Sequence, residues 1–464
     1  MRTRLPLVLV TLTVLLPLPA MAQDPSGALS GDGRFTLALT GDAIITRRLS
    51  PFKEPAFLDM IELLRGADAA FTNLEMLFHD YEPYPAHQSG GTYMRAEPAL
   101  AHELTWAGID LVSLANNHTG DYGPDGMRLT RKYAAEAGLV AAGAGENLTE
   151  AREAHFLDTQ DGRVALISVA STFPDHSAAG PARGAVRGRP GLNPLRYRTT
   201  RTIEREKLET LRTALRDIGQ RVPDSGHQLS VFGTTLVAAD QDGRDTEPDP
   251  EDVAAIGAVV RNAAMLADYV IVTIHAHEGG DGGRSTPAEF LVTFARAMID
   301  AGADVFVGHG PHVLRGIEIY RGKPILYSLG DFIFQNETLL RLPADNYAPY
   351  DLPEDAFVGD FNAARYRDDT RGFPTDREIW EAVVALPTWE GERLVSLELH
   401  PITLGYGEPR TVRGRPLLAD RELGAKIIGD LVERSRPFGT AIEWRADEGI
   451  GVVVLPSGEA AGGG

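Results

Sequence analysis

Six times along this chain a short apolar run stops on residues that bind cations. FTLALT leads into Gly41 and Asp42, and AAF into Asn73, Leu74 and Glu75. LVSLA ends on Asn116, Asn117 and His118, and VIVTI on His275, Ala276 and His277. VFVG runs into His309, Gly310, Pro311 and His312, and ILYSL into Gly330 and Asp331. Runs of this length rich in Val, Ile, Leu and Phe read as buried strands. An open α/β sheet gathers its ligands in the crevice at the carboxyl ends of its strands. Polar residues at those ends contribute little to a core, so the pattern predicts an α/β fold with one polar pocket.

The chain has 464 residues, enough for one large α/β domain with additions or for two domains. The formal charge of −20 argues against a nucleic-acid scaffold, which needs a basic face. There is no cysteine, so any metal must be held by oxygen and nitrogen. Met1-Arg2-Thr3-Arg4 followed by an apolar 5–19 stretch and Ala20-Met21-Ala22 reads as a signal peptide, residues 1–22, cleaved before Gln23. The apolar stretch is shorter than the roughly 20 residues a membrane span needs. The expected location is therefore periplasmic or extracellular.

A polar linker is expected over 23–33. Strands are predicted at 35–40, 69–72, 110–115, 164–169, 269–274, 304–307 and 324–328. Helical periodicity lies between them, as in Leu58, Ile61 and Leu64 or Leu208, Leu211 and Leu215. The main domain is expected at 34–335. Residues 172–200 and 240–251 read as loops, and 336–376 as a long loop or lid. Residues 377–458 read as short strands completing the domain, and 459–464 as a disordered tail.

Asp42 and Glu75 supply carboxylates, Asn117 an amide oxygen, and His275, His309 and His312 imidazoles. A mixed nitrogen and oxygen set suits one or two divalent ions of Zn, Mn or Fe, and such ions lower the pKa of bound water. His118 follows a candidate ligand and is placed to act as a general acid. Taken singly, each residue has a plainer reading. Asp42 can be a turn or helix cap, Glu75 a solvated acid, and the asparagines turn formers. Asn73, Asn116, His277 and Asp331 are expected beside the ligands or at the substrate. The arginines around Arg183 fit either a solvated loop or a lid for anions, and Arg95 adds a weaker candidate contact.

The segments LTGD (39–42), TNLE (72–75), SLANNHTGDYG (113–123), VTIHAHEG (272–279) and GHGPHVLRGIEIYRGKPILYSLGDFIF (308–334) resemble the CapA-type capsule and poly-γ-glutamate biosynthesis family. That family is similar in fold to the calcineurin-like metallophosphoesterases. The resemblance implies a layered α-β-β-α sandwich. It also implies metal roles for Asp42, Asn117, His275, His309 and His312, a bridging role for Glu75, and an acid role for His118, with Asp42 also part of the catalytic set. Two departures stand out. The metallophosphoesterase pattern has His two residues after the first Asp, where this chain has Ile44. Its late His-x-His is here His309 and His312, three apart. Many relatives carry Asn at the position of Asp331, so this chain adds a carboxylate there.

Three functions are consistent with these readings. One is an exported metal-dependent hydrolase acting on a phosphoester, amide or ester bond of an anionic substrate. The others are a transferase and a non-catalytic binding or export accessory. In each, the partners expected are an anionic polymer or small anion and the capsule machinery of the cell envelope. If the leader is cleaved as read, N-terminal sequencing of the exported protein will begin at Gln23; an intact Met1 in membrane fractions would refute this.

Overall fold

The computed structural model describes residues 33–232 and 234–456. The leader, nearly all of the 23–33 linker and the 459–464 tail lie outside the described residues. Two sheets dominate. In the first, Arg34–Ile44 pairs in parallel with Ala69–Leu74, which continues through Leu111–Ser113 to Val140–Ala142. On its other side Arg34–Ile44 meets Glu381–Glu390 antiparallel, and Arg393–Thr403 follows. Asp331–Phe334 pairs in parallel with the end of Arg34–Ile44. In the second sheet Tyr269–His275 lies between Arg163–Ala170 and Val305–His309, parallel to both. Lys323–Leu326 extends it beyond Val305–His309.

Strand periodicity explains the layering, because alternate side chains face opposite ways. Leu37, Leu39, Ala69, Phe71 and Leu111 of the first sheet share a core with Leu166, Ile271, Val305 and Val307 of the second. Phe35 stacks on Tyr269 at 4.1 Å in this layer. The intervening residues Ala38, Ala70 and Val112 turn outward onto helices Pro55–Arg65, Ala101–Ala107 and Gly123–Glu136. On the far side Ile167, Val272, Ile274 and Phe306 pack on helices Pro250–Ala263 and Glu289–Asp300. The result is the helix–sheet–sheet–helix sandwich expected from the resemblance.

Three local readings change. Residues 240–251 are not all loop: Gly243–Pro248 is a strand paired with Tyr197–Glu204 in a separate four-stranded sheet. Its alternation is hidden because both faces are polar, and it gains support from pairs such as Arg198 with Glu247, which sit opposite each other. Residues 336–376 contain helices Ala344–Tyr347 and Val358–Tyr366, too short and too polar to show periodicity. The C-terminal strands are long, at 10 and 11 residues, and they extend the first sheet. No helix among the described residues is long and apolar enough to cross a membrane.

The two polar strand ends of the first sheet meet through glycine. A Cβ on Gly41 would lie 1.7 Å from the Gly330 carbonyl oxygen, and Gly330 itself has φ +78°. Gly41→Ala will therefore force these strands apart and destabilise the fold by about 1–3 kcal/mol or more, the range for overpacking. Urea denaturation will show this as a lower midpoint; an unchanged midpoint would contradict the close approach.

Candidate metal centre

The inner faces of both sheets stay apolar until their carboxyl ends, where the same alternation turns polar. Phe71 is followed two residues on by Asn73, Ile271 by Thr273 and His275, and Val307 by His309. Sheet register then aligns these ends. Asp42 is opposite Asn73 on one neighbour and Asp331 on the other, and His275 is opposite His309. Asp42, Asn73, Glu75, His275, His309 and Asp331 are all fully buried.

Asp42 is fixed from two sides. Asn73 Nδ2 donates to its Oδ1 at 2.7 Å, and the Gly310 N–H donates to its Oδ2 at 2.8 Å. Gly310 has φ +112°, and a Cβ there would lie 2.9 Å from the Ala276 nitrogen. His275 Nδ1 is 3.6 Å and His309 Nδ1 3.5 Å from Asp42 Oδ1, and these two nitrogens are 3.2 Å apart. His312 has a left-handed backbone, φ +57°, which directs its ring onto Asp331 Oδ1 at 2.8 Å. Its Nδ1 is also 3.8 Å from Asp42 Oδ2. His277 Nε2 meets His275 Nε2 at 2.9 Å, so it joins the cluster.

Glu75 is the unusual member. His118 Nε2, His275 Nε2 and His312 Nε2 stand 3.7, 3.8 and 4.0 Å from its Oε1. Yet both of its oxygens are buried with no hydrogen-bond partner, as are Asn117 Oδ1 and Asp331 Oδ2. Buried polar atoms are normally paired. Among the described residues, three sets have ligand atoms within 4.8 Å of one another: Asp42, His275 and His309; Glu75, His275 and His277; and Asp42, Glu75 and His312. Ligand atoms on a tetrahedral ion at about 2.0–2.2 Å lie about 3.3–3.6 Å apart. The contacts from Asp42 to the two histidines match that spacing, and the orphaned oxygens supply the missing donors. The residues fit one or two divalent ions.

The electrostatics agree. Burial, then the Asp42 charge, holds the Glu75 carboxyl well above its usual range. Burial drives His275 and His277 well below the usual imidazole range and His309 down to about 3. These are neutral imidazoles, the form that binds metal. Burial also acts to lower His312, but Asp331, Glu75 and Asp42 outweigh it and lift it to about 10, so it would give up a proton on taking a metal ion. Burial raises Asp331 to about 6 against the pull of His312. Asp331 thus stands where a further carboxylate is useful, while Ile44 is packed in the helix-side core.

Beside the cluster, Asn116 accepts from the His118 N–H and donates to the Leu74 carbonyl at 2.8 Å. Asn117 Nδ2 donates to the Gly90 carbonyl at 3.1 Å, which leaves its oxygen free. Two arginines considered as substrate contacts have other neighbours. The Arg95 guanidinium donates to the His79 carbonyl and to Asp80, and stacks over Tyr81. Arg183 is exposed at a tight turn closed with Val186. Arg95 is thus committed to its own neighbours, and Arg183 to its turn.

The sequence reading missed two residues. Asp121 is fully buried and accepts from His118 Nδ1 at 2.7 Å, from the Gly90 N–H at 2.8 Å and from the Met94 N–H at 2.7 Å. It turns His118 Nε2 toward Glu75, and its i+3 spacing from His118 was a readable signal. Arg315 is fully buried and donates to the carbonyls of Ala276, His277, Glu278 and Arg284, which holds the loop carrying His277.

The family model for "Bacterial capsule synthesis protein PGA_cap" matches residues 36–336. An uncharacterized protein, y4sH, of Sinorhizobium fredii is 38% identical, over 91% of this chain and 93% of its own length. Capsule biosynthesis protein CapA of Bacillus anthracis is 27% identical over 65% of this chain and 60% of its own. PGA biosynthesis protein CapA of Bacillus subtilis is 25% identical over 68% and 67%. If the cluster holds a metal, Asp42→Ala and His275→Ala will each lower the Zn or Mn content of purified protein in elemental analysis. Wild-type protein that stays metal-free after incubation with both ions would refute it.

Proposed function

This chain belongs to the PGA_cap family of bacterial capsule synthesis proteins, and on that premise we propose that it is an exported metal-dependent hydrolase of an anionic envelope polymer. The bond cut is a phosphoester, amide or ester. The observation that carries the reading is the bare, buried carboxylate of Glu75 among His118, His275 and His312. A purely structural acid in that place would have donors. Export is supported by the basic n-region, the apolar stretch and Ala20-Met21-Ala22. The acidic-polymer substrate is supported by the names of the CapA relatives.

In this reading Asp42, Glu75, Asn117, His275, His309 and His312 hold the metal, with Asp331 orienting His312 and His277 beside His275. A bound divalent ion supplies Lewis acidity and water activation at such a site. The chain's own residues do the rest. Asn73 and the Gly310 N–H keep Asp42 turned inward. Asp121 holds the Nδ1 side of His118, so the proton that His118 gives to a leaving group leaves from Nε2. Held also by the Gly90 and Met94 N–H groups, Asp121 keeps the ring from rotating away.

The acid role predicts different outcomes for neighbouring substitutions. His118→Asn will keep metal and fold but lower turnover about 10²–10⁴-fold, the usual span of general acid–base catalysis. Asp121→Asn will lower it less, and Asn117→Ala will reduce metal content. The His118→Asn loss will shrink with good leaving groups. Metal loss in His118→Asn, or unchanged turnover of a substrate with a poor leaving group, would rule the acid role out. Product analysis with water against an amine acceptor separates hydrolysis from transfer.

A further inference from the structure

Arg365 lies on the Val358–Tyr366 helix, in the 336–376 segment whose Phe373 meets His312 of the cluster. We propose that Arg365 receives a carboxylate of the anionic polymer and orients the chain across the cluster; this rests on the proposed function above. Its neighbours spend their charge inside the protein. Arg410 pairs with Asp369, Arg413 with Glu337 and Asp369, and Arg284 with Asp376. Arg365 has no carboxylate within ion-pair distance among the described residues, in a chain with 65 acidic and 45 basic side chains. Its one side-chain hydrogen bond is to Thr92 Oγ1.

That placement links the guanidinium, through Thr92 and Phe373, to neighbours of His118 and His312. Thr92 follows Gly91, where a Cβ would lie only 3.7 Å from His118 Cε1. On the other side Arg365 stands over the Phe373 ring at 5.6 Å, and Phe373 meets the His312 ring at 6.0 Å. The same guanidinium also lies 5.2 Å from the Tyr366 ring and 5.8 Å from Phe361. These rings supply cation–π support without neutralising it.

The segment that carries it is fixed. Glu337 takes a bidentate pair from Arg413 at 2.6 Å, and Asn362 donates to the Glu337 carbonyl at 2.8 Å. Asn336 donates to the Tyr366 hydroxyl at 3.3 Å. A fork held this way loses little freedom on binding, and an arginine fork matches a carboxylate with two parallel bonds. A half-buried, preoriented cation beside the cluster has no carboxylate partner among the described residues, and an incoming carboxylate supplies one.

The test uses the mature full-length protein supplied with Mn²⁺ and titrated calorimetrically with a γ-linked glutamate oligomer. A second arm uses the same oligomer with its α-carboxylates converted to amides. Arg365→Gln will weaken the acidic oligomer roughly 10–100-fold, the worth of a charge-assisted hydrogen bond. Arg365→Lys will recover part of that loss, and the amidated oligomer will bind all three proteins equally weakly. Unchanged binding of the acidic oligomer by Arg365→Gln overturns the inference and leaves the proposed function standing. So does an equal loss for both oligomers, which marks damage to packing. Wild-type protein that binds neither oligomer overturns the proposed polymer reading and this inference with it.

Discussion

The structure depends on burying several carboxylates and imidazoles where two sheets end. Asp42, Glu75 and Asp331 sit fully buried within reach of His275, His309 and His312. Burying an ionised acid is expensive unless it is paired. Asp42 is compensated by Asn73 and Gly310, and Asp331 by His312. Glu75 has no hydrogen-bond donor among the described residues, the nearby His312 charge offsets its burial only in part, and that deficit sets the electrostatics around it. It helps hold His312 as a cation, and it calls for a positive charge between the sheets.

The rest of the architecture makes that burial possible. The strands are brought together closely enough that Gly41 and Gly330 touch backbone to backbone. Arg315 ties the loop after Tyr269–His275 through four carbonyls, so that His277 stays beside His275. Asp121 does the same for His118 from the opposite wall. These supports are themselves buried polar groups with their bonds satisfied, which rigidifies a site instead of destabilising it. The Phe373 ring and the pinned 336–376 segment complete the enclosure next to His312.

Much of this was legible along the chain. The inner-face alternation Phe71–Asn73, Ile271–Thr273–His275 and Val307–His309 is a period-2 pattern that any strand must obey. It foretold which residues would meet. Tyr197–Glu204 and Gly243–Pro248 escaped notice because a strand polar on both faces has no alternation to read. Arg95 looked available and is bound to Asp80 and His79. The sequence places His277 beside the ligands, and its Nε2 lies 2.9 Å from that of His275.

By itself, then, the sequence determined the α/β alternation, the strand ends that carry the candidate ligands, and the absence of thiolate. Each follows from local pattern and residue chemistry. Register was decided by the tertiary structure alone: Asp42 against Asp331, and His275 against His309, are pairings between segments 34–289 residues apart. So were the orphaned oxygens of Glu75, the buried supports Asp121 and Arg315, and the unpaired charge of Arg365. A hydrogen bond or ion pair that is missing can be recognised only when every neighbour is in place, because it is a property of the whole surrounding shell and not of any one residue.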